Sequence, residues 1–229
     1  MLIILNEEYE LHDTLNPKLF EDDKLKPEVL DKLREIANEF IESLDPIKLS
    51  VADIQFVGSN VSFNYNNQSD IDLHIITDFD LNFIDDEILQ SIFNDKKNTF
   101  NKKYDFEIYG LPVELYIEDM KSMNATNGIY SVLEDKWIKF PKKMDYEVPD
   151  YSEELANAKR EINEILQSED VNEIEKEINK IMLDRKNGLA INGEMSIGNL
   201  VFKELRNLGL IEGLRNKYAE LKSAELSLN

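Results

Sequence analysis

The segment Asp70-Ile71-Asp72-Leu73-His74-Ile75 constrains the fold of this chain more than any other. Polar and apolar residues alternate through it, and a period of two is typical of a half-buried β-strand. On such a strand the two aspartates and His74 share one face, and the isoleucine and leucine residues occupy the other. We therefore predict a strand over 71–77 that carries the carboxylates of Asp70 and Asp72 on its polar face.

A third carboxylate falls on a second predicted strand. Apolar and polar residues alternate over 111–117, which leaves Glu114 on the polar face. Like charges about 4 Å apart repel by roughly 4 kcal/mol at an effective dielectric of about 20. A chain that brings three carboxylates together is therefore expected to bind a divalent cation, with Asp70, Asp72 and Glu114 as the ligands.

The dipeptide Gly58-Ser59 ends the apolar run Ile54–Val57, which is also predicted as a strand. Glycine permits a tight turn at this point, and a helix is predicted to begin over 60–65. Backbone N–H groups at a helix N-terminus, together with the Ser59 hydroxyl, are suited to binding phosphate oxygens. We therefore predict a phosphate-binding turn beside the carboxylates.

The rest of the chain is dominated by helical periodicity. The order is a helix, a mixed α/β centre and, after about residue 150, a region of helices alone. Gly188 and Gly209 are predicted at helix C-caps in that last region. The predicted helices are 27–44, 85–101, 152–166, 172–189, 196–208 and 210–226, and a predicted hairpin joins 106–108 to 111–117.

The formal net charge of −21 restricts the partners of the chain. Affinity for nucleic acid comes largely from Lys and Arg, so this charge disfavours the binding of long polynucleotides. Residues 51–120 contain 14 acidic and 4 basic side chains, so a phosphate bound there would need cations as intermediaries. The chain has no cysteine, which excludes disulfides and thiol nucleophiles. Without an apolar membrane span or signal sequence, a cytoplasmic protein with no membrane partner is expected.

Together these motifs resemble the nucleotidyltransferase superfamily, which includes DNA polymerase β, poly(A) polymerases and aminoglycoside nucleotidyltransferases. Its signature is Gly and Gly or Ser after an apolar residue, a spacer, Asp-x-Asp between apolar residues, and a later acidic residue on a strand. The matching segments are Val57-Gly58-Ser59, Asp70-Ile71-Asp72-Leu73 and Val113-Glu114-Leu115, within residues 51–118. The resemblance implies an α+β fold with a nucleotidyltransferase-type mixed β-sheet and flanking helices in residues 1–150. An all-helical C-terminal domain would then occupy residues 151–229.

The same resemblance implies a reaction and its cofactors. Two Mg²⁺ ions, or Mn²⁺ in their place, would be bridged by Asp70 and Asp72, and Glu114 would complete the ligands of the catalytic ion. A nucleoside monophosphate would move from a triphosphate such as ATP onto an acceptor hydroxyl, with release of pyrophosphate. The acceptor stays open between a small molecule, a protein and an RNA end.

The resemblance also implies nucleotide-binding residues. Gly58 and Ser59 would hold phosphates, while Tyr130 and Ser131 lie in a region that in the superfamily is often helical and stacks the base. Trp137 is a second candidate for stacking, although an aromatic side chain at such a position also suits a core. Four lysines nearby either contact phosphate or form a solvated face; they are Lys136, Lys139, Lys142 and Lys143.

More loosely, the chain resembles small predicted nucleotidyltransferases of tailed bacteriophages. The likeness lies in His12–Pro17, the helix 27–44 and Ser69–Ile75, and it would place the protein in the host cytoplasm. Two other classes of function stay open. One is a catalytically inactive nucleotide-binding protein, and the other is an acidic protein that mimics nucleic acid and binds a basic partner.

Overall fold

The structure is a computed structural model that describes residues 12–44, 49–67, 69–79, 85–121, 126–143 and 149–227, except the side chains of Asp86 and Glu194. The chain divides into two compact units, Met1–Met144 and Asp145–Asn229. All the strands described lie in the first unit, and the second unit is built from helices over its described residues.

The first unit is organised around a six-stranded sheet in the order β5-β6-β4-β3-β7-β8. Strands β4 and β6 are parallel, and the other neighbouring pairs are antiparallel. The crossover between the parallel strands includes α2, as a parallel connection requires. The elements are β1 Phe20–Glu21, β2 Lys24–Leu25, α1 Pro27–Ser43, β3 Val51–Val57, β4 Ile71–Thr77, α2 Asp86–Lys103, β5 Glu107–Ile108, β6 Leu111–Asp119, β7 Ile129–Ser131 and β8 Lys136–Lys139.

Alternation in β4 and β6 sorts their side chains onto two faces of the sheet. The alternating apolar residues of both strands, which exclude Ile76 of β4, join one hydrophobic core with the buried stripe of α1. This stripe follows the three- and four-residue spacing of an amphipathic helix. The opposite face of β4 and β6 is left to polar side chains, including Asp72 and Glu114. The core residues in question are Val29, Leu30, Leu33, Ile36, Ala37, Phe40, Ile71, Leu73, Ile75, Val113, Leu115 and Ile117.

Helix α2 covers the outer edge of β6. Strand β5 pairs with only the first two residues of β6. Beyond them, Nδ2 of Asn101 donates to the Leu115 carbonyl at 3.2 Å, and Nε2 of Gln90 donates to the Ile117 carbonyl at 3.4 Å. These bonds satisfy part of an edge that would otherwise be open to another strand.

Over residues 149–227, the second unit contains four α-helices. Gly209 lies between the last two with φ 71°, as predicted for a glycine at a helix C-cap. The C-cap prediction for Gly188 is wrong, because this glycine lies inside the second helix. A Cβ atom at Gly188 would be 2.6 Å from Oγ of Ser196, so glycine permits close packing there. The helices are α3 Ser152–Ile165, α4 Val171–Asn192, α5 Ile197–Asn207 and α6 Leu210–Glu225.

The predicted fold class is confirmed as α+β, with a mixed sheet, flanking helices and a helical C-terminal region. Two further local predictions are wrong. The helix expected over 60–65 is a 3₁₀ turn, Ser59–Val61, because Ser62 returns to extended backbone. The region of Tyr130 and Trp137 forms the β7–β8 hairpin instead of helices, and a turn over 132–135 closes it.

None of the described helices is long and apolar enough to cross a membrane.

Candidate metal centre

Three carboxylates meet where β4 and β6 run side by side. The parallel register pairs Asp72 directly with Glu114, and Asp70 immediately precedes β4. Each of the three offers a carboxylate oxygen within 4.8 Å of the other two, and all three residues are half-buried. The structure thus brings the predicted ligands Asp70, Asp72 and Glu114 together on the polar face of the sheet.

The end of β3 lies against this cluster. Val57 pairs with Asp72 across the antiparallel register. Gly58 follows with φ 89° and ψ −167°, a conformation that residues with a Cβ rarely adopt. A Cβ atom at Gly58 would lie 2.3 Å from Oδ2 of Asp72. Glycine is therefore needed both for the backbone conformation and for the space that the Asp72 carboxylate occupies.

Ser59 opens the turn that follows. Its Oγ donates to Oγ of Ser69 at 2.8 Å, and the Ser69 oxygen also accepts from the backbone N–H of Asn66 at 2.9 Å. Ser59 itself is half-buried. The predicted phosphate-binding turn therefore lies next to the carboxylates, although it is a short 3₁₀ turn instead of the start of a helix.

Asn60 ties this turn to the start of β4. Its buried side-chain amide donates to the carbonyl of Ser69 at 3.1 Å and to the carbonyl of Asp70 at 2.7 Å. The amide oxygen of Asn60 accepts from Nδ2 of Asn16 at 2.7 Å. Because both asparagines are almost fully buried, these bonds fix the backbone that presents Asp70 to the cluster.

Tyr116 follows Glu114 by two residues and lies on the same face of β6. Its hydroxyl donates to Oε2 of Glu114. Burial, and then the negative charges of Glu114 and Asp72, raise the pKa of the Tyr116 phenol well above its ordinary value. The phenol therefore stays protonated and remains a donor to the carboxylate.

His74 lies one register step further along the polar face. Its Nδ1 is 3.2 Å from Oε2 of Glu118, and the two side chains are only 12% and 22% exposed. The His74 and Tyr116 ring centroids are 4.8 Å apart. Beside His74, a narrow cavity lined partly by Gln55 and Glu118 has a volume of about 10 Å³, which is room for a single water. The contacts of His74 are those of a packed, hydrogen-bonded structural residue.

Tyr130 and Ser131 lie on β7 with no exposed surface. The Tyr130 hydroxyl donates to Asp135 at 2.6 Å, and its ring packs edge-on against Trp137. Oγ of Ser131 donates to Oδ1 of Asp53 at 2.7 Å. Neither side chain presents a surface on which a nucleotide could stack in this structure.

The predicted basic run lies on β8 and the segment after it. Nζ of Lys136 is 2.5 Å from Oε2 of Glu134, and Nζ of Lys143 is 2.8 Å from Oδ1 of Asp13. Both members of each of these two ion pairs have side chains that are more than half exposed. Exposed ion pairs of this kind contribute little to stability, as expected for a solvated face.

The donor set of the carboxylate cluster fits a hard divalent cation. Carboxylate oxygens are the ligands that Mg²⁺ prefers, and three of them lie within 4.8 Å here. Without a cation their charges would repel by on the order of 3–4 kcal/mol per pair at an effective dielectric of about 20. The space that Gly58 leaves for Asp72 favours the same interpretation, because the backbone makes room for a charged oxygen.

Sequence reasoning does not single out Asn60 or Tyr116 as parts of this site. The strand period does place Tyr116 on the face of Glu114, but nothing in the period reveals the bond between them. The sequence feature that could have indicated a role for Asn60 is its position directly after Gly58-Ser59, where an amide side chain can reach neighbouring backbone groups.

The chain is similar to a solved structure described as "STING-associated CdnE c-di-GMP synthase from Capnocytophaga granulosa". The identity is 14% and the TM-score 0.25, over 88% of this chain and 84% of that chain. No protein-family model matches the chain. No curated protein matches it either.

Proposed function

We propose that this chain is a metal-dependent nucleotidyltransferase, which moves a nucleoside monophosphate from a nucleoside triphosphate onto an acceptor hydroxyl. The observation that carries the proposal is the meeting of Asp70, Asp72 and Glu114 directly beside the turn at Gly58. Carboxylates that hold cations next to a turn that holds phosphates suit the transfer of a phosphorus group. In this proposal residues 1–150 are the catalytic core and residues 151–229 a helical domain.

Each residue of the site has a role in this proposal. Asp70 and Asp72 would hold two Mg²⁺ ions, with Mn²⁺ as a substitute, and Glu114 would complete the ligands of the catalytic ion. Bound cations supply neutralisation of the triphosphate charge and make the attacking hydroxyl more acidic. Gly58 leaves room for the Asp72 carboxylate, and the turn at Ser59 contacts the terminal phosphates.

The proposed transfer is a single displacement at the α-phosphorus of the triphosphate. The acceptor oxygen bonds to the α-phosphorus, and the bond from that phosphorus to the oxygen bridging the β-phosphorus breaks. Pyrophosphate leaves with that oxygen, and the proton of the acceptor hydroxyl passes to water or to a carboxylate of the cluster.

The charge of the chain bears on the substrates. With a net charge of −21, the chain suits a small molecule, a protein side chain or an RNA end as acceptor better than a long polynucleotide. ATP is expected among the donors. The resemblance to small phage nucleotidyltransferases leads us to propose the cytoplasm of an infected host as the place of action.

Transfer of labelled nucleotide tests this function. The full-length chain is incubated with Mg²⁺ and each nucleoside triphosphate labelled at the α-phosphorus, alone and with host-cell lysate. We expect label on an acceptor, and no transfer by Asp72→Asn, which keeps the size of the side chain and removes its charge. The matched control is Asp31→Asn on the exposed face of α1, which should transfer label at the wild-type rate.

Two other outcomes would contradict the proposed activity. Mg²⁺-dependent nucleotide binding without transfer to any acceptor would favour a catalytically inactive nucleotide-binding protein. Absence of both binding and transfer, with a basic partner retained equally by a triple variant of Asp70, Asp72 and Glu114, would favour an acidic protein that mimics nucleic acid.

A further inference from the structure

Tyr116 and Glu114 form a hydrogen-bonded pair at the edge of the candidate metal centre. They are two residues apart on β6, so the strand period places them on one face. The Tyr116 hydroxyl donates to Oε2 of Glu114. One carboxylate oxygen of Glu114, Oε2, accepts this bond, and the other oxygen, Oε1, takes no part in it.

The length of the glutamate arm gives this bond a consequence. Glutamate has one more methylene than the aspartates of the cluster, and ordering such a side chain costs up to about 1.5–2 kcal/mol of rotamer entropy. A hydrogen bond from a fixed donor restricts the glutamate side chain before any ligand binds, so less rotamer entropy is lost when the ligand binds. Carboxylates that bind metals are commonly held in this way by a second layer of hydrogen bonds.

The tyrosine is itself fixed by its neighbours. Nζ of Lys97, on the helix that covers the edge of β6, lies 4.2 Å from the centroid of the Tyr116 ring. The His74 ring lies 4.8 Å away between centroids, and His74 is paired with Glu118. The ring is half-buried among these groups, and their contacts restrict the orientation of the phenol.

We infer that Tyr116 is a positioning residue that holds the Glu114 carboxylate in the orientation required to bind a divalent cation together with Asp70 and Asp72. The inference rests on the proposed function in so far as that function assigns the cation to these three carboxylates. It adds a residue to the site that acts on the metal only through Glu114.

Binding of Mn²⁺ alone to the full chain tests the inference without any catalysed reaction. Removing the hydroxyl in Tyr116→Phe keeps the ring, and we expect about 10-fold weaker Mn²⁺ binding, within the range for lost second-layer hydrogen bonds. The matched control is Tyr109→Phe, because the Tyr109 hydroxyl also donates to a glutamate, Glu28, at 3.1 Å. This control should bind Mn²⁺ as the wild type does, and circular dichroism checks that both variants are folded.

A double-variant comparison separates positioning from general destabilisation. If Tyr116 acts only through Glu114, then Tyr116→Phe has no further effect on Mn²⁺ affinity in a Glu114→Ala background. A further loss of about 10-fold in that background would overturn the inference.

The remaining outcomes distinguish this inference from the proposed function. Equal Mn²⁺ affinity in the wild type and Tyr116→Phe would overturn the role of Tyr116 and leave the metal site intact. Equal Mn²⁺ affinity in the wild type and in Asp72→Asn would overturn the metal site itself, and the role of Tyr116 with it.

Discussion

A Cβ atom on Gly58 would lie 2.3 Å from Oδ2 of Asp72, so the backbone at the end of β3 and a carboxylate of β4 share one small space. The antiparallel register, which pairs Val57 with Asp72, produces this approach. It joins the Gly-Ser and Asp-x-Asp motifs into one structural unit. The carboxylate cluster is therefore sensitive to the addition of a single methyl group at Gly58.

Gly58→Ala should damage the metal site more than the fold. The methyl group must displace the Asp72 carboxylate, and we expect about 10-fold weaker Mn²⁺ binding. Strain at φ 89° and ψ −167°, a combination essentially restricted to glycine, should also lower the free energy of unfolding by about 1–3 kcal/mol. Titration calorimetry and urea denaturation measure the two effects.

Gly110→Ala is the control for the strain alone. Gly110 has φ 76°, and a Cβ atom there would meet nothing within 4 Å. We expect Gly110→Ala to lower the free energy of unfolding because of its positive φ, and to leave the Mn²⁺ affinity unchanged. Equal Mn²⁺ affinities in both alanine variants would show that the contact between Gly58 and Asp72 does not shape the site.

Asn60→Ala should destabilise the first unit strongly. The substitution removes the bonds to the Ser69 and Asp70 carbonyls and leaves the buried Asn16 amide without its acceptor. We expect a loss of about 2–4 kcal/mol in the free energy of unfolding, since each unsatisfied buried group costs about 1–3 kcal/mol. Urea denaturation measures it, with the exposed Asn207→Ala as a control that should change stability by less than about 0.5 kcal/mol. A similarly small change for Asn60→Ala would remove this network from the account.

Glu114→Gln should change stability in opposite directions with and without metal. In EDTA the variant removes one of three like charges, and we expect a gain of about 1 kcal/mol. In millimolar Mg²⁺ the wild type gains binding energy that the variant lacks, so the wild type should become the more stable protein. Thermal unfolding in the two buffers tests this reversal, with the exposed Glu107→Gln on β5 as a control that shows none. The same order of stability in both buffers would count against a cation at this site.

Local alternation predicted the part of the fold that carries the carboxylates. The observed strand Ile71–Thr77 has the predicted bounds, because a period of two directly encodes which side chains face the core. The pairing of Asp72 with Glu114 follows once two such strands lie side by side. This is why the cluster could be predicted from spacing and resemblance.

Features that depend on distant contacts were beyond such reasoning. Strand β7 has three residues, and its pairing with β3 joins segments far apart in the chain. The partner of Asn60 is Asn16, 44 residues away. Gly188 has the sequence context of a C-cap but lies inside α4, where the approach of Ser196 leaves no room for a Cβ atom.

Two helical glycines of the second unit should respond oppositely to alanine. A Cβ atom at Gly198 would lie 2.5 Å from the carbonyl oxygen of Asp184, and a backbone atom cannot move aside cheaply. We expect Gly198→Ala to lower the free energy of unfolding by about 1–3 kcal/mol. At Gly213 the nearest atom is 4.0 Å away, so Gly213→Ala should stabilise by about 0.5–1 kcal/mol. Urea denaturation of both variants measures these changes. A higher free energy of unfolding in Gly198→Ala would contradict the close contact between α4 and α5.

A nucleotidyltransferase cleaves a nucleoside triphosphate at its α-phosphorus and transfers the nucleotide. Transfer by this chain is best measured with one triphosphate labelled at the α-phosphorus and the same compound labelled at the γ-phosphorus, in the presence of Mg²⁺ and acceptor. We expect the α-label to move to the acceptor and the γ-label to be released in pyrophosphate, both only while Asp70, Asp72 and Glu114 are intact. Transfer of the γ-label to the acceptor, or α-label transfer that persists in Asp72→Asn, would contradict it.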